Sequence, residues 1–417
     1  MERVYMGNEF LDIKNPDDVK GIISNFQTIK KYEAVSIENS LYRVLAEDIH
    51  ATINLPPFRK VTMDGYAVIS EDTFLASEDE PVKLGLLEVI GAGDVPKEIV
   101  KNGFCTEVGT GSPLPEGADS VVMVEYTEVR DGIISIHESV TMGQNIAKEG
   151  SDIGEGELLL KKGTTITPEK IGVLSAIGLK TVPVYKKPEI AVISTGNELI
   201  RYDEEIQYGK IFDINSQTIS SAVTACGCIP VKTEIVKDNY NDLKRKIIEC
   251  QDMDLIITSG GTSAGRGDVL RQVLDDLGEV LVHGIAVKPG KPTIIGRFEN
   301  EGVDKYVVGL PGNPVAASMV FQLFFAPFLK DMASIKTKSR LRKTNTIKIP
   351  LSRRYRPAKG RKHFLLVKVD DDNAIPILKD SGAITSLAEA DGYIEIGKNV
   401  EIVEKGTLVK VHPLGNW

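Results

Sequence analysis

Three continuously apolar runs in the middle of the chain, at residues 190–194, 255–258 and 306–310, constrain the fold most strongly. A strand that is apolar on both faces must be covered on both sides, as the parallel strands of α/β domains are. Helical patterns at about 216–227, 240–251, 268–277 and 314–329 alternate with these runs. The alternation predicts a mostly parallel α/β sheet domain over residues 184–331.

The segments on either side of this domain are richer in turns. Short apolar runs at 66–69, 82–90, 104–108, 120–124 and 133–136 predict a β domain at residues 51–141. It interrupts a linker domain with helices at 1–50 and 142–183, where we expect helices after Asn15, at 36–46 and after Thr167. Alternating runs at 345–350, 363–369, 374–378, 393–396 and 408–411 predict a second small β domain at 332–417.

Charge and cysteine content argue against several classes of function. The 50 Lys and Arg against 59 Asp and Glu give a net charge of −9, which disfavours general binding to nucleic acid or a membrane surface. The four cysteines are too few for a disulfide scaffold, and no apolar signal core begins the sequence, so we expect a cytoplasmic protein. The uncharged stretch 306–329 contains the turn sequence PGNP, and we expect a buried strand, a turn and a buried helix there.

Residues 332–369 contain thirteen Lys and Arg and no Asp or Glu. A run of this kind is either a solvated surface or a surface that attracts an anionic ligand, and both interpretations remain open.

A glycine-rich loop, TSGGTSAGRGD at 258–268, joins an apolar run to a helical pattern. Glycines let the backbone approach a ligand, and successive N–H groups beside a helix N-terminus can cradle a phosphate. It is not a P-loop, because no Gly-Lys-Ser/Thr closes it. We predict that a phosphorylated ligand contacts Ser259, Gly260, Gly261, Ser263 and Gly265.

Other segments end or follow strands of the same predicted sheet. Ligands bind at the carboxyl edge of such sheets, so STGNE at 194–198 and GLPGNP at 309–314 are expected near the glycine-rich loop. Carboxylates in this region suit a metal ion or a general base, although either one alone could be a helix cap or a surface acid. The predicted residues are Ser194, Thr195, Gly196, Glu198, Asp213, Asn215, Asp268, Lys288, Lys291, Pro311, Gly312 and Asn313.

Two loops of the predicted insert have modest chemical content of their own. The segment PPFRKVTMDGYAV at 56–68 places Asp64 in an Asp-Gly turn, and GTGSPLPEGAD at 109–119 is a turn-rich connector. Local sequence favours a structural role for both.

The order of these motifs resembles that in the molybdopterin molybdenumtransferases, the bacterial relatives of the gephyrin E domain. The shared motifs are PPFxxxxMDGYA, GTGxPxPxGAD, SGGxSxG, KPGKP and GLPGNP, and the resemblance extends from about residue 37 to the C-terminus. The α/β domain alone also resembles molybdopterin adenylyltransferases and the competence-damage-inducible family.

The resemblance implies a fold and a reaction. The fold is a helical linker domain in two segments, an inserted β domain, an α/β domain of molybdopterin-binding type and a C-terminal β-barrel. The reaction inserts molybdenum from molybdate into adenylylated molybdopterin and releases AMP, with Mg²⁺ assisting, as the last step of molybdenum cofactor biosynthesis. The family works as a homodimer with shared active sites, and a molybdopterin adenylyltransferase is an implied partner.

The resemblance also implies residue roles. Asp64 and Thr110 would lie on the insert and face the partner subunit's cleft. Glu198, Asp238, Asp268 and Lys288 match positions in the family's cleft. Asp152 matches an acidic position at the return to the linker domain, and Arg361 and Ser381 match positions on the C-terminal side of the site. Catalytic roles are implied for Asp64, Thr110, Glu198, Asp268 and Lys288, and metal binding for Glu198 and Asp268.

Three positions depart from the family pattern. Thr62 stands where Ser is common, which keeps the hydroxyl, and Asn197 replaces an Asp. Gly284 falls where some members have Lys. Two other functions remain as alternatives: a molybdopterin adenylyltransferase or nucleotide pyrophosphatase that uses only the α/β domain, and a non-catalytic scaffold.

Overall fold

The computed structural model describes residues 13–232, 234–261, 269–335 and 346–415. The chain forms two compact units. The smaller unit is Glu33–Val184, and the larger unit combines Met1–Tyr32 with Tyr185–Trp417. The first helix of the larger unit, α1 (Pro16–Ser24), begins after Asn15 as predicted, with proline in its first turn.

The smaller unit consists mainly of short strands. They are β1 (Tyr32–Ser36), β2 (Ile49–His50), β3 (Lys60–Val61), β4 (Gly65–Val68), β5 (Val82–Ile90), β6 (Phe104–Val108), β7 (Ser120–Met123), β8 (Thr127–Arg130), β9 (Ile133–Ile136), β10 (Ile146–Ala147), β11 (Leu158–Leu160) and β12 (Thr181–Tyr185). Six of them form one sheet in the order β7-β4-β6-β5-β9-β8. All five strands predicted in the insert are present in this sheet, and the pairs β1–β12, β3–β10 and β2–β11 form separate ladders.

The linker segments contain less helix than predicted. Apart from α1, which belongs to the larger unit, the described residues of these segments contain one α-helix, α2 (Pro168–Ala176), which begins after Thr167 as expected. The helix predicted at 36–46 is wrong, because only a single 3₁₀ turn forms, at Ile37–Asn39. The backbone of Leu45 instead bonds to Thr164, and Tyr42 adopts a φ of 58°, which no α-helix contains. The apolar spacing in this segment reflects burial between neighbouring chain segments.

The larger unit contains the predicted α/β sheet. Its strands are β13 (Glu189–Ser194), β14 (Leu199–Ile200), β15 (Ile211–Phe212), β16 (Ile229–Lys232), β17 (Leu255–Ser259), β18 (Glu279–His283), β19 (Val287–Lys288), β20 (Ile294–Asn300) and β21 (Val303–Leu310). Six of them pair in the order β16-β13-β17-β21-β20-β18. The first four are parallel, whereas β20 is antiparallel to both of its neighbours.

Helices cover both faces of this sheet, which explains the continuously apolar strands. They are α3 (Asn215–Ala225), α4 (Tyr240–Glu249), α5 (Val269–Leu277), α6 (Pro314–Val320) and α7 (Ala326–Met332), with a π-helical turn at Phe321–Phe325 between the last two. Val192, Ile257 and Val308 pack on one face in a cluster with α3, α6 and α7. The adjacent residues Ile193, Ile256 and Val307 pack on the other face with α4 and α5. The fold class predicted from the alternation is confirmed.

The helical segment Pro314–Met332 is long and apolar enough to cross a membrane by length and composition. In this structure 67% of its most apolar window is buried, and the rings of Phe321 and Phe325 are fully enclosed in the core. The buried helix predicted after the PGNP turn is therefore present.

The C-terminal part of the larger unit is a small barrel. Its elements are β22 (Ile347–Pro350), β23 (Lys362–Asp370), β24 (Asn373–Pro376), α8 (Thr385–Glu389), β25 (Gly392–Ile396) and β26 (Leu408–Pro413). The strands pair in the order β24-β23-β25-β26-β22, and Ser352, just after β22, closes the ring by donating its N–H to the Ala374 carbonyl in β24. Strand β19 adds in parallel to β23 and aligns Lys288 with His363, so the lysine-bearing turn is tied to the barrel.

Candidate functional site

The three central parallel strands end in one row. Ser194 of β13 pairs with Ser259 of β17, which pairs with Leu310 of β21. The loops that follow therefore start side by side at the carboxyl edge of the sheet, as the sequence predicted. This edge is where open α/β sheets bind ligands.

Two glycines form a cradle at this edge. Gly260 and Gly261 have φ values of 101° and 68°, a region that favours glycine. A Cβ added to Gly261 would lie 3.1 Å from Thr195 Oγ1 and 3.2 Å from Asp238 Oδ1. The Thr195 hydroxyl is buried and has no hydrogen-bond partner among the described residues. The space above Gly261 is thus bordered by a hydroxyl that can still donate, as a bound phosphate would require.

Side-chain hydrogen bonds hold the three loops in register. Asp213 Oδ1 accepts hydrogen bonds from Ser194 Oγ (2.9 Å) and from the Ser216 N–H (3.1 Å). The Asn215 side-chain amide donates to both Ser259 Oγ and the Gly312 carbonyl, each at 2.8 Å. Asp213 and Asn215 therefore position the edge by contacts within the protein.

The carboxylate of Glu198 folds back over Gly196. A Cβ at Gly196 would lie 2.9 Å from each Glu198 carboxylate oxygen, so a larger residue there would displace the exposed Glu198 side chain. On the same side, Asn197 Oδ1 accepts a hydrogen bond from the Asp238 N–H at 3.3 Å. The Asn that replaces an Asp in the family pattern thus anchors the turn that carries Asp238.

A cavity of about 380 Å³ opens between the edge and the barrel. Three of its cations, Lys288, Lys291 and Arg361, have no ion-pair partner among the described residues, whereas a fourth, Lys379, pairs with Glu389. The Asn313 amide, from the last edge loop, donates to Ser381 Oγ at 2.9 Å across the cavity rim. Since Asp380 is the single carboxylate among the described residues of the lining, the cavity suits an anion.

Part of the basic run is neutralised locally. Arg354, Lys359 and Lys362 each approach a glutamate of residues 395–404. Arg361, in the same run, is one of the cations that line the cavity. Most of the described cations of the run therefore lie at the surface and one lies in the cavity, while attraction of an anion by the run stays a prediction.

In the smaller unit, Asp64 and Thr110 are in direct contact. Asp64 Oδ1 accepts hydrogen bonds from the Thr110 N–H (2.6 Å) and from Thr110 Oγ1 (2.7 Å). Both bonds lower the pKa of the exposed Asp64 carboxyl and favour its ionised form, and the bond from the Thr110 N–H has the larger effect. Asp152 is also exposed, in a turn where its N–H donates to Leu55.

Three predicted site residues, Ser263, Gly265 and Asp268, lie outside the described residues. The others occupy three places: the carboxyl edge, the cavity and the smaller unit. The edge holds Ser194, Thr195, Gly196, Glu198, Asp213, Asn215, Asp238, Ser259, Gly260, Gly261, Pro311, Gly312 and Asn313. The cavity holds Lys288, Lys291, Arg361 and Ser381.

The sequence did not indicate three further polar side chains of the cavity. Tyr355, His363 and Ser386 all line it, and His363 and Ser386 are buried. Burial lowers the pKa of the His363 imidazole to about 4, with a smaller contribution from the positive charge of Lys288. A lone buried His beside apolar residues is an ordinary core pattern, so no sequence signal distinguished it.

The possible metal ligands at the carboxyl edge suit an open Mg²⁺ site that the substrate completes. Among the described parts of the chain no group of three or more His, Cys, Asp and Glu residues could hold a metal ion. Mg²⁺ is commonly held by one or two carboxylates together with substrate phosphates and water. Glu198, exposed and folded against Gly196 at the carboxyl edge, suits such a site without forming a closed cage.

Comparisons with known proteins cover nearly the whole chain. Three family models match in order: "MoeA N-terminal region (domain I and II)" at residues 15–178, "Probable molybdopterin binding domain" at 191–331 and "MoeA C-terminal region (domain IV)" at 348–414. A molybdopterin biosynthesis protein of Methanocaldococcus jannaschii is 37% identical over 92% of this chain and 93% of its own length. The molybdopterin molybdenumtransferase of Bacillus subtilis is 32% identical over 95% of this chain and 93% of its own length.

Solved structures agree with these matches. Two structures of molybdopterin biosynthesis MoeA proteins from Pyrococcus horikoshii superpose with TM-scores of 0.84 and 0.73. They are 37% and 29% identical to this chain, cover 97% and 96% of it, and are themselves covered completely.

Proposed function

Because this chain belongs to the MoeA family of molybdopterin molybdenumtransferases, we propose that it transfers molybdenum from molybdate to molybdopterin in molybdenum cofactor biosynthesis. The family models at both ends of the chain favour this reaction over an adenylyltransferase or pyrophosphatase that would need only the α/β domain. The observation that carries the proposal is the row of aligned strand ends beside a cavity with three cations that form no ion pair within the described parts of the chain.

The substrate form that this site suits is adenylylated molybdopterin, whose pyrophosphate joins the pterin to adenosine. Gly260 and Gly261 would admit one phosphate against the backbone, with the free Thr195 hydroxyl as a donor. Lys288, Lys291 and Arg361 would hold the second anionic group or molybdate itself, because none of them forms an ion pair with a carboxylate of the described residues. An oxygen of molybdate or of water would bond to phosphorus as the phosphoanhydride breaks and AMP leaves, and molybdate would lose oxygen as water when the metal enters the dithiolene.

Positioning and charge stabilisation are the roles open to this chain's residues. Lysine and arginine donors stabilise the charge that develops on the leaving phosphate. Mg²⁺, if bound, would be held by Glu198 and by Asp268, which lies outside the described residues, and would neutralise phosphate charge. No cysteine serves as a nucleophile in this scheme, in keeping with the buried, unreactive thiols.

We also propose that the enzyme is a homodimer with shared sites. Asp64 and Thr110 belong to the smaller unit, and the remaining catalytic candidates belong to the larger one. An ionised Asp64, held by Thr110, would approach the substrate from the partner subunit. We also propose a cytoplasmic location, where cysteines stay reduced, in agreement with the four free and buried thiols. A molybdopterin adenylyltransferase would deliver the adenylylated molybdopterin.

The experiment is a turnover assay with adenylylated molybdopterin, molybdate and Mg²⁺. The purified chain should release AMP and form a cofactor that activates a molybdenum-free molybdoenzyme. A reaction without molybdate is the control. AMP release without cofactor formation would identify a pyrophosphatase, and neither product would indicate a scaffold.

A further inference from the structure

The buried His363 and the half-buried Tyr355 in the cavity wall form a pair with a defined hydrogen-bond direction. The Ala358 N–H points at His363 Nδ1 at 3.3 Å, so this nitrogen is the acceptor. A neutral imidazole that accepts at Nδ1 carries its proton on Nε2. His363 Nε2 lies 3.1 Å from Tyr355 Oη, and it therefore donates to the phenol oxygen.

Full burial of His363 and partial burial of Tyr355 keep both side chains neutral. His363 is 3% exposed and its pKa is lowered to about 4, so it carries no charge near neutral pH. Burial also raises the pKa of Tyr355, so the phenol keeps its hydrogen. The backbone of Tyr355 is held on both sides, since its N–H and carbonyl pair with Val403 at 2.9 Å each.

The phenolic hydrogen of Tyr355 is therefore left to be donated elsewhere. Its oxygen already accepts from His363, and no acceptor for its hydrogen is found in the described part of the chain. Tyr355 lines the cavity that contains Lys288, Lys291 and Arg361. Ser386, 3% exposed in the same wall, likewise has an Oγ without a partner among these residues. A buried hydroxyl without a partner, such as that of Ser386, is unusual unless a ligand or an ordered water completes it.

We propose that Tyr355 is a substrate-binding residue that donates its phenolic hydrogen to the oxyanion held by Lys288, Lys291 and Arg361, and that His363 is the residue that positions it. The inference rests on the proposed function, with molybdate as the oxyanion. The three cations attract any anion of suitable size. The neutral hydroxyl adds a directed hydrogen bond that fixes the orientation of the bound oxygen atoms.

The test measures molybdate binding to the full-length protein by calorimetry. Tyr355→Phe keeps the ring and removes the donor, and molybdate affinity should fall about tenfold, the loss typical of one hydrogen bond to a charged group. Tyr393→Phe is the matched control, because Tyr393 also neighbours a histidine in the barrel, His412, but does not line the cavity. The Tyr393→Phe protein should have the molybdate affinity and the melting temperature of the wild type.

A double-mutant cycle tests the positioning role of His363. His363→Gln retains a side-chain donor and should bind molybdate nearly as well as the wild type, whereas His363→Leu should bind several-fold more weakly. In the Tyr355→Phe background, His363→Leu should cause no further loss, because the group it positions is already gone. Additive losses would overturn the positioning role.

The salt dependence of molybdate affinity distinguishes the contribution of a neutral donor from that of the cations. The fold-loss in Tyr355→Phe should be the same at about 50 mM and about 0.5 M salt, whereas the loss in Lys291→Ala should shrink as charge is screened. Unchanged molybdate affinity in folded Tyr355→Phe would overturn the inference and leave the proposed function standing, since turnover is assayed separately. A wild-type protein that turns over but binds no molybdate here would overturn the cavity assignment and the inference together.

Discussion

Valine at position 261 should abolish nucleotide binding while leaving the protein folded. The glycine there has a φ of 68°, and left-handed backbone costs a residue with a Cβ about 1–2 kcal/mol. Its Cβ would meet two side-chain atoms, Thr195 Oγ1 at 3.1 Å and Asp238 Oδ1 at 3.2 Å, which can move by a few tenths of an ångström. The melting temperature should therefore drop by only about 2–4 °C.

The effect on binding should be much larger. The two methyl groups beyond the Cβ would occupy the space above Gly261, where we place a phosphate. Loss of two hydrogen bonds to a charged phosphate, at about 1.5–3 kcal/mol each, corresponds to at least about 100-fold in affinity. Calorimetry with AMP as the probe should show this loss, and Gly261→Ala should be intermediate.

Gly302→Val is the matched control for backbone strain. Gly302 has a φ of 77° in the turn before β21, at the opposite end of that strand from the site, and a Cβ there would meet nothing within 4 Å. It should lose stability as Gly261→Val does and bind AMP normally. Wild-type AMP affinity in Gly261→Val, or equal loss in both variants, would refute the assignment of the cradle.

Further expectations concern the acids and the thiols. Glu198→Gln should preserve the melting temperature and reduce turnover on the order of 10²–10³-fold, as loss of a charge-stabilising contact does; near-normal AMP release would make Glu198 structural. Asp64→Asn should keep the fold and lose molybdenum insertion, and mixing Asp64→Asn with Glu198→Gln subunits should partly restore it if sites are shared. Because Thr110 lowers the pKa of Asp64, the ionised form persists as pH falls below the ordinary aspartate value, and Thr110→Val should move the acid limb of the turnover profile to higher pH. Burial raises the pKa of Cys226 to about 11 and that of Cys228 further, so iodoacetamide at pH 8 should label neither thiol until the protein is unfolded.

Much of the central fold was predictable from residue pattern. The neighbours Val192 and Ile193 are both buried on opposite faces of one strand, and only a doubly covered sheet explains such a run. Because parallel strands align their carboxyl ends, the motifs after Ser194, Ser259 and Leu310 were expected together, and the strand register brings them together. The pattern failed at 36–46, where apolar spacing typical of a helix arises from irregular backbone packed on both sides.

Local sequence thus determined the type of most elements and the chemistry carried at the ends of the central strands. Tertiary structure alone decided which distant segments share the cavity. Strand β19 pairs with β23 of the barrel and sets Lys288 beside His363, while Tyr355 and Ser386 arrive from two other segments. Such contacts join residues far apart in the chain, so they leave no periodic signal in either segment. The direction of the Tyr355 hydrogen bond follows from one backbone N–H, that of Ala358, whose position only the folded chain defines.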